Sequence, residues 1–164
     1  LKALSGDSQV WPDDERFKVS WKRDQLYKGA NTRRVQAILE GIELQLSPDH
    51  HEYRTDPKKL SVEHILPQRW KPADYPLRDA TGAAEADRAR LLHSIGHLTL
   101  MTPSINTSLS NAAFKAKRPA LAKESALALN TYFQDCGDSW DDEKIVERAE
   151  ALFPHALTAW PLPE

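Results

Sequence analysis

The chain has 164 residues, 40% of them hydrophobic, which is enough apolar material for one continuous core. Lys and Arg total 22 against 24 Asp and Glu, a formal charge of -2, so there is no overall attraction to nucleic acid and any anion-binding face must be local. No apolar run approaches the roughly 18 to 20 residues that cross a bilayer. Cys136, the only cysteine, rules out an intrachain disulfide and a Cys-rich zinc site and favours an intracellular setting.

The chain opens at Leu1 with no charged region leading into an apolar stretch, so it reads as a piece of a longer protein, with one domain expected over residues 1–164. From Arg16 to Arg34 seven cations stand against one anion, Asp24, the usual mark of a solvated helix face. Val35, Ile38, Leu39, Ile42 and Leu46 recur at helical spacing, which predicts a helix over about 31–46, capped by Asn31 or Thr32 and ended by Pro48. Residues 47–59 read as a loop. Ser61 to Leu66, with Val62 and Ile65 and then Pro67, reads as a short strand and turn.

Pro72, Pro76 and Gly82 predict a long irregular connection before a helix over about Ala83 to His93. His97 to Met101 alternates and reads as a second strand. A helix from near Ser108 to Lys117 is expected next, interrupted by Pro119, which then opens a helix reaching Phe133. The last helix, capped by Ser139 with Asp142 three residues on, buries Ile145, Val146, Ala149, Leu152 and Phe153 and stops at Pro154. Four cations and no anion lie between Asn106 and Lys123, whereas from Asp135 to Glu150 seven carboxylates face Lys144 and Arg148. The expected fold is mainly α with a small β-hairpin.

Chemistry concentrates in two segments. Glu63-His64-Ile65-Leu66-Pro67-Gln68 sets a carboxylate beside an imidazole at the end of a strand, where neighbouring side chains point to opposite faces. That arrangement suits phosphodiester hydrolysis: an imidazole titrating near neutrality takes the proton of an attacking water, and a divalent metal stabilises the phosphate charge. Mg²⁺ needs only one or two protein oxygens, such as a carboxylate and an amide. The second segment, Ile95-Gly96-His97-Leu98-Thr99-Leu100 followed by Asn106, Asn111, Phe114, Lys115, Lys117 and Arg118, adds amides and a cationic helix.

Together the two segments resemble the HNH, or His-Me finger, nucleases. More specifically, the order Glu-His-Ile-Leu-Pro-Gln, Ile-Gly-x-Leu-Thr-Leu, then Asn106-x-x-x-x-Asn111-x-x-Phe-x-x-Lys117 is similar to the C-terminal domain of GmrSD-type modification-dependent restriction enzymes. The likeness extends to the Asn31-Thr-Arg-Arg helix and to Trp140-x-x-x-x-Ile145-x-x-Arg148, so it covers most of the chain.

The resemblance implies a ββα-metal core over about 61–118, flanked by helices over about 31–46 and 119–153. It implies His64 as general base, Glu63 and Asn106 as ligands of one Mg²⁺ (or Mn²⁺), and Lys115 or Lys117 near the phosphate, with Arg118 and Lys123 on the same DNA-binding segment. It further implies a DNA endonuclease or nickase of an anti-phage restriction system in the bacterial cytoplasm, and an N-terminal ParB-like nucleotidase domain that senses modified DNA. The family usually has Asn where this chain has His97, a position whose amide pins the loop between the strands; a neutral imidazole offers one donor and one acceptor for that task.

Other readings stand beside these. A DNA-binding module that has lost its chemistry is suggested by His97, and a toxin-like RNase by a site that contacts backbone rather than bases. Glu63 could pair with a nearby cation, and Asn106 and Asn111 could serve as capping or turn residues. His93 and His97 have a zinc-like spacing without further ligands to complete a tetrahedral set. His50, His51 and His155 read as solvated, and the five tryptophans as packing.

Overall fold

The computed structural model describes residues 11–29, 32–47, 60–79, 81–102, 109, 112–123 and 127–161. Its elements are α1 (Asp14–Arg23), α2 (Leu26–Gly29), α3 (Thr32–Leu46), β1 (Ser61–His64), α4 (Gly82–Leu91), a 3-10 turn (Ile95–His97), β2 (Leu98–Met101), α5 (Phe114–Lys123), a second 3-10 turn (Ala128–Asn130), α6 (Tyr132–Asp135) and α7 (Asp142–Ala159). The protein is mainly helical with one antiparallel two-stranded sheet, as the sequence predicts.

Helix α1 was not expected, because its apolar stripe is only Phe17 and Trp21, too thin to register as a period. Its ends are well specified: the Asp13 carboxylate accepts from Arg16 N at 2.8 Å, Asp14 and Glu15 open the helix, and Lys22 and Arg23 close it. Trp21 then donates its indole N–H to Ala149 O of α7 at 2.8 Å, fastening the helix to the core. Helix α3 has the predicted extent and buries Val35, Leu39 and Ile42; Asn31, the alternative cap, and most of the expected 47–59 loop lie outside the described residues.

The strands are shorter than expected, each four residues long. β1 ends at His64, although Ile65 N still donates to His97 O at 3.1 Å, and His97 belongs to the 3-10 turn rather than to β2. The register pairs Val62 with Leu100, Glu63 with Thr99 and His64 with Leu98. Directly opposed residues share a face, so Val62, His64, Leu98 and Leu100 lie on one side and Glu63, Thr99 and Met101 on the other. One hydrophobic cluster takes Val62, Leu98 and Leu100 together with α1, α3 and α7; a second gathers Ile65, Leu66, Met101, Phe114, Phe133, Trp140 and Ile145.

Two proline expectations are corrected. Pro119 does not interrupt a helix: α5 runs from Phe114 through Pro119 to Lys123, so the residue sits in the second turn of a short helix whose Phe114 and Leu121 are buried, and the expected start at Ser108 lies outside the described residues. The helix expected from Pro119 to Phe133 is instead three pieces, α5, the 3-10 turn and α6. Pro154 likewise lies within α7, which continues to Ala159 because Ala156 is fully buried and Leu157 and Trp160 pack on the core. An interior proline costs roughly 3 kcal/mol, and burying even two such side chains offsets it. The cap of α7 is Asp141, whose carboxylate accepts from Lys144 N at 3.0 Å, rather than Ser139. His155, expected near a solvated end, stands inside α7.

Candidate active site

The end of the hairpin is where the sequence-predicted residues meet. Glu63 and His64 leave β1 on opposite faces and are nearly buried, 6% and 5% exposed. On the Glu63 side, the fully buried Lys117 of α5 reaches back so that its ammonium ion-pairs with the Glu63 carboxylate and donates to His64 O at 2.9 Å. The cationic helix is thus tied to the strand through one side chain, and the ion-pair reading of Glu63 is part of what the structure holds.

On the other face, His64 Nε2 lies 3.4 Å from His93 Nδ1, and His64 Nδ1 lies 3.2 Å from Gln68 Nε2. The Tyr27 ring sits edge-on to His64 at 4.5 Å. Burial, with the charges of His93 and Lys117 adding to it, lowers the His64 pKa to about 4, below the near-neutral titration expected from the sequence, so the imidazole is neutral at neutral pH with a partner on each ring nitrogen. Burial pushes the Glu63 carboxyl up, opposed by its bond to Lys117 and the ammonium charge.

His97 is fully buried, and burial holds its pKa well below the ordinary value. Leu66 N donates to its Nε2 at 3.1 Å, and the Trp140 indole N–H points at its Nδ1 at 3.3 Å. Nε2 also lies 3.4 Å from Leu66 O, so a neutral ring, with one donor and one acceptor, pins the loop after β1 through the N–H or the C=O of Leu66 while its Nδ1 faces Trp140. Behind it, Arg148 of α7 donates to Gly96 O at 3.0 Å and Leu98 O at 2.8 Å and lies 5.0 Å from the Phe133 ring centroid. Burial lowers the Arg148 pKa to about 10, which leaves it cationic at neutral pH.

Of the remaining expected site residues, Lys115 projects into solvent from α5, and Arg118 pairs with Asp138 at 3.0 Å and donates to Gln134 O at 3.2 Å. Lys123 ends α5, its side chain outside the described residues, as is all of Asn106 and Asn111. Among the described residues no three His, Cys, Asp or Glu side chains gather as a metal cage. A hard divalent cation that keeps most of its waters does not require one. Glu63 offers the hard carboxylate oxygen such a cation takes, but it is buried and ion-paired, so a metal would have to compete with or share it with Lys117.

Sequence reasoning missed Tyr27, Gln68, Trp140 and the true partner of His93. The zinc-like spacing pointed His93 toward His97, whereas the turn after α4 aims it at His64. Only Gln68 carried a local signal, four residues beyond His64.

No curated protein and no solved structure matches the chain. Residues 11–154 match the model of the GmrSD restriction endonucleases, C-terminal domain, a span that holds both strands, the Glu63–Lys117 pair and the three imidazoles around the hairpin end. The chain belongs to the GmrSD restriction endonuclease C-terminal domain family.

Proposed function

We propose that this nuclease module is an HNH-type, metal-dependent DNA endonuclease that nicks one strand, with His64 as general base. The observation that carries the reading is a nearly buried, neutral imidazole standing next to a buried carboxylate–ammonium pair at the end of a two-stranded hairpin. His64 takes a proton from the attacking water. Glu63, with Asn106, would hold Mg²⁺ or Mn²⁺, and the cation when bound supplies charge stabilisation for the phosphate and the leaving oxygen. Lys117 keeps Glu63 ionised and fixes the carbonyl of His64, while Lys115, exposed on the same helix, would contact the DNA backbone.

Arg118 and Lys123 extend that contact. An exposed ion pair such as Arg118–Asp138 contributes only about 0–1 kcal/mol, so the guanidinium can exchange its carboxylate for a phosphate. One site of this kind cuts one strand. Sensing of modified DNA, in an anti-phage role, belongs to an N-terminal ParB-like nucleotidase domain of the same parent protein.

A supercoiled plasmid incubated with this chain and Mg²⁺ or Mn²⁺ should become open circular, and neither EDTA-treated protein nor His64→Ala should convert it. A parent chain and full-length protein that both leave the plasmid intact would sink the reading. The competing reading, DNA binding without cleavage, draws on the Lys117 ammonium that already occupies Glu63; plasmid binding that is unchanged by EDTA and accompanied by no nick would favour it. Cleavage of RNA but not DNA would move the substrate to the toxin class.

A further inference from the structure

The loop that leaves β1 is fixed to the body of the protein at three points. Leu66 is held by the buried His97 ring. Further on, the buried Arg88 guanidinium of α4 lies over the Trp70 ring, 5.1 Å from its centroid, and its Nη2 donates to Pro76 O at 3.4 Å. Asp74 N and Tyr75 N both donate to Lys71 O at 3.0 Å, which closes a turn. Tyr75 Oη then accepts from Phe114 N at 3.2 Å, one of the N–H groups that the start of α5 leaves without an intrahelical partner.

Two cations stand out from this frame. Arg69 and Lys71 flank the half-buried Trp70 and are both exposed. At one end of the stretch Gln68 touches the site itself, its carboxamide nitrogen 3.2 Å from His64 Nδ1, and Arg69 is the next residue in the chain. At the other end Tyr75 links Lys71 to Phe114, and the residue after Phe114 is the exposed Lys115. Arg69, Lys71 and Lys115 therefore belong to one connected rim beside His64.

Exposed cations are ordinarily just solvated. These three differ from their neighbours in their partners: among the described residues none of them forms an ion pair, whereas Lys117, Arg118 and Arg90 each hold a carboxylate. Asp74, the carboxylate on the same loop, is likewise paired with neither Arg69 nor Lys71. Both aromatic side chains of the loop are committed to the fold, Trp70 against Arg88 and Tyr75 on α5, so the loop presents charge rather than a platform for stacking bases. We propose that Arg69 and Lys71, with Lys115, hold backbone phosphates of the DNA beside His64, which makes the loop after β1 a second DNA-binding element next to α5. This rests on the reading of the chain as a DNA endonuclease, and it makes the contact independent of base sequence.

The test is binding of a labelled duplex in EDTA, so that nothing is cut, followed by fluorescence anisotropy as KCl rises. Each cation that neutralises a duplex phosphate contributes about 0.9 to the fall of log affinity with log salt. Arg69→Gln with Lys71→Gln should therefore bind more weakly and lose about 1.8 from that slope, so that its affinity falls about tenfold less than the parent's over a fourfold rise in salt. Lys115→Gln should lose about 0.9, and duplexes of different sequence should give the same losses. Arg16→Gln, which removes one exposed charge from α1, should stay within about 0.3 of the parent slope, and circular-dichroism melts of all the variants should match the parent. A double variant with the parent slope, or an Arg16→Gln loss as large per charge as that of the loop, overturns the proposal. Plasmid nicking with Mg²⁺ by the same parent separates the two readings. A parent that nicks while the loop variants keep its slope overturns the loop contact alone; a parent that binds with the stated losses and never nicks overturns the nuclease reading and leaves the contact; one that neither binds nor nicks overturns both.

Discussion

Lys117 is the residue on which the site depends most. A lysine with no exposed surface has paid the desolvation of an ammonium, and the Glu63 carboxylate and the His64 carbonyl compensate for it. Removing one partner of such a pair leaves the other charge buried alone, which costs about 3–5 kcal/mol, whereas removing both charges is far milder. Lys117→Met should therefore lower the urea-unfolding free energy by that amount, and Lys117→Met with Glu63→Gln should recover much of it. If the single variant unfolds like the parent, the pair is not the anchor described here. In sequence Lys117 looked like Lys115, two cations on one helix. Their difference, one buried and one in solvent, arises from which face of α5 meets β1.

Among the elements, α7 does most to set the hairpin. It packs against the Ile95–His97 turn so closely that a Cβ added to Gly96 would come 2.0 Å from Ile145 O, and that oxygen is backbone, which cannot swing away. Arg148 on the same helix holds the carbonyls on either side of His97. Gly96→Ala should destabilise by about 3 kcal/mol or more, since overpacking against a helix backbone forces the turn and its His97 outward. Circular-dichroism melts would measure this; an unchanged Tm would mean that the turn is looser than its contacts indicate. The Ile-Gly-His segment was recognisable in the sequence, but the reason for its glycine lies about fifty positions further along the chain, in the helix that covers it.

At the scale of the whole molecule, two hydrophobic clusters meet around imidazoles that the fold keeps neutral. His64 and His97 both have pKa values depressed by burial below the 6.5 of a free histidine, His64 to about 4. Between those values and 6.5 the unfolded chain binds protons that the folded chain does not, so their stabilising contribution is complete above pH 6.5 and is lost as the pH falls toward 4. Thermal melts should thus give a Tm that is flat from pH 7 to 8 and drops steadily below about pH 6.5. His97→Asn, whose carboxamide can accept from Leu66 N without titrating, should lessen the drop; equal acid sensitivity in parent and variant would remove His97 from the account.

Sequence alone determined the helical class, the hairpin and its order, α3 to its last residue, and Glu63 and His64 as a pair on opposite faces of one strand. Those features depend on local period, on capping chemistry and on neighbours in the chain. Only the tertiary structure decided that α1 exists as a packed helix, that Pro119 and Pro154 are carried inside helices, that Lys117 rather than solvent faces Glu63, and that His93 addresses His64 instead of His97. In each of these cases burial against a distant segment outweighs a local preference of a few kcal/mol at most, and nothing in the order of residues states which distant segment that will be.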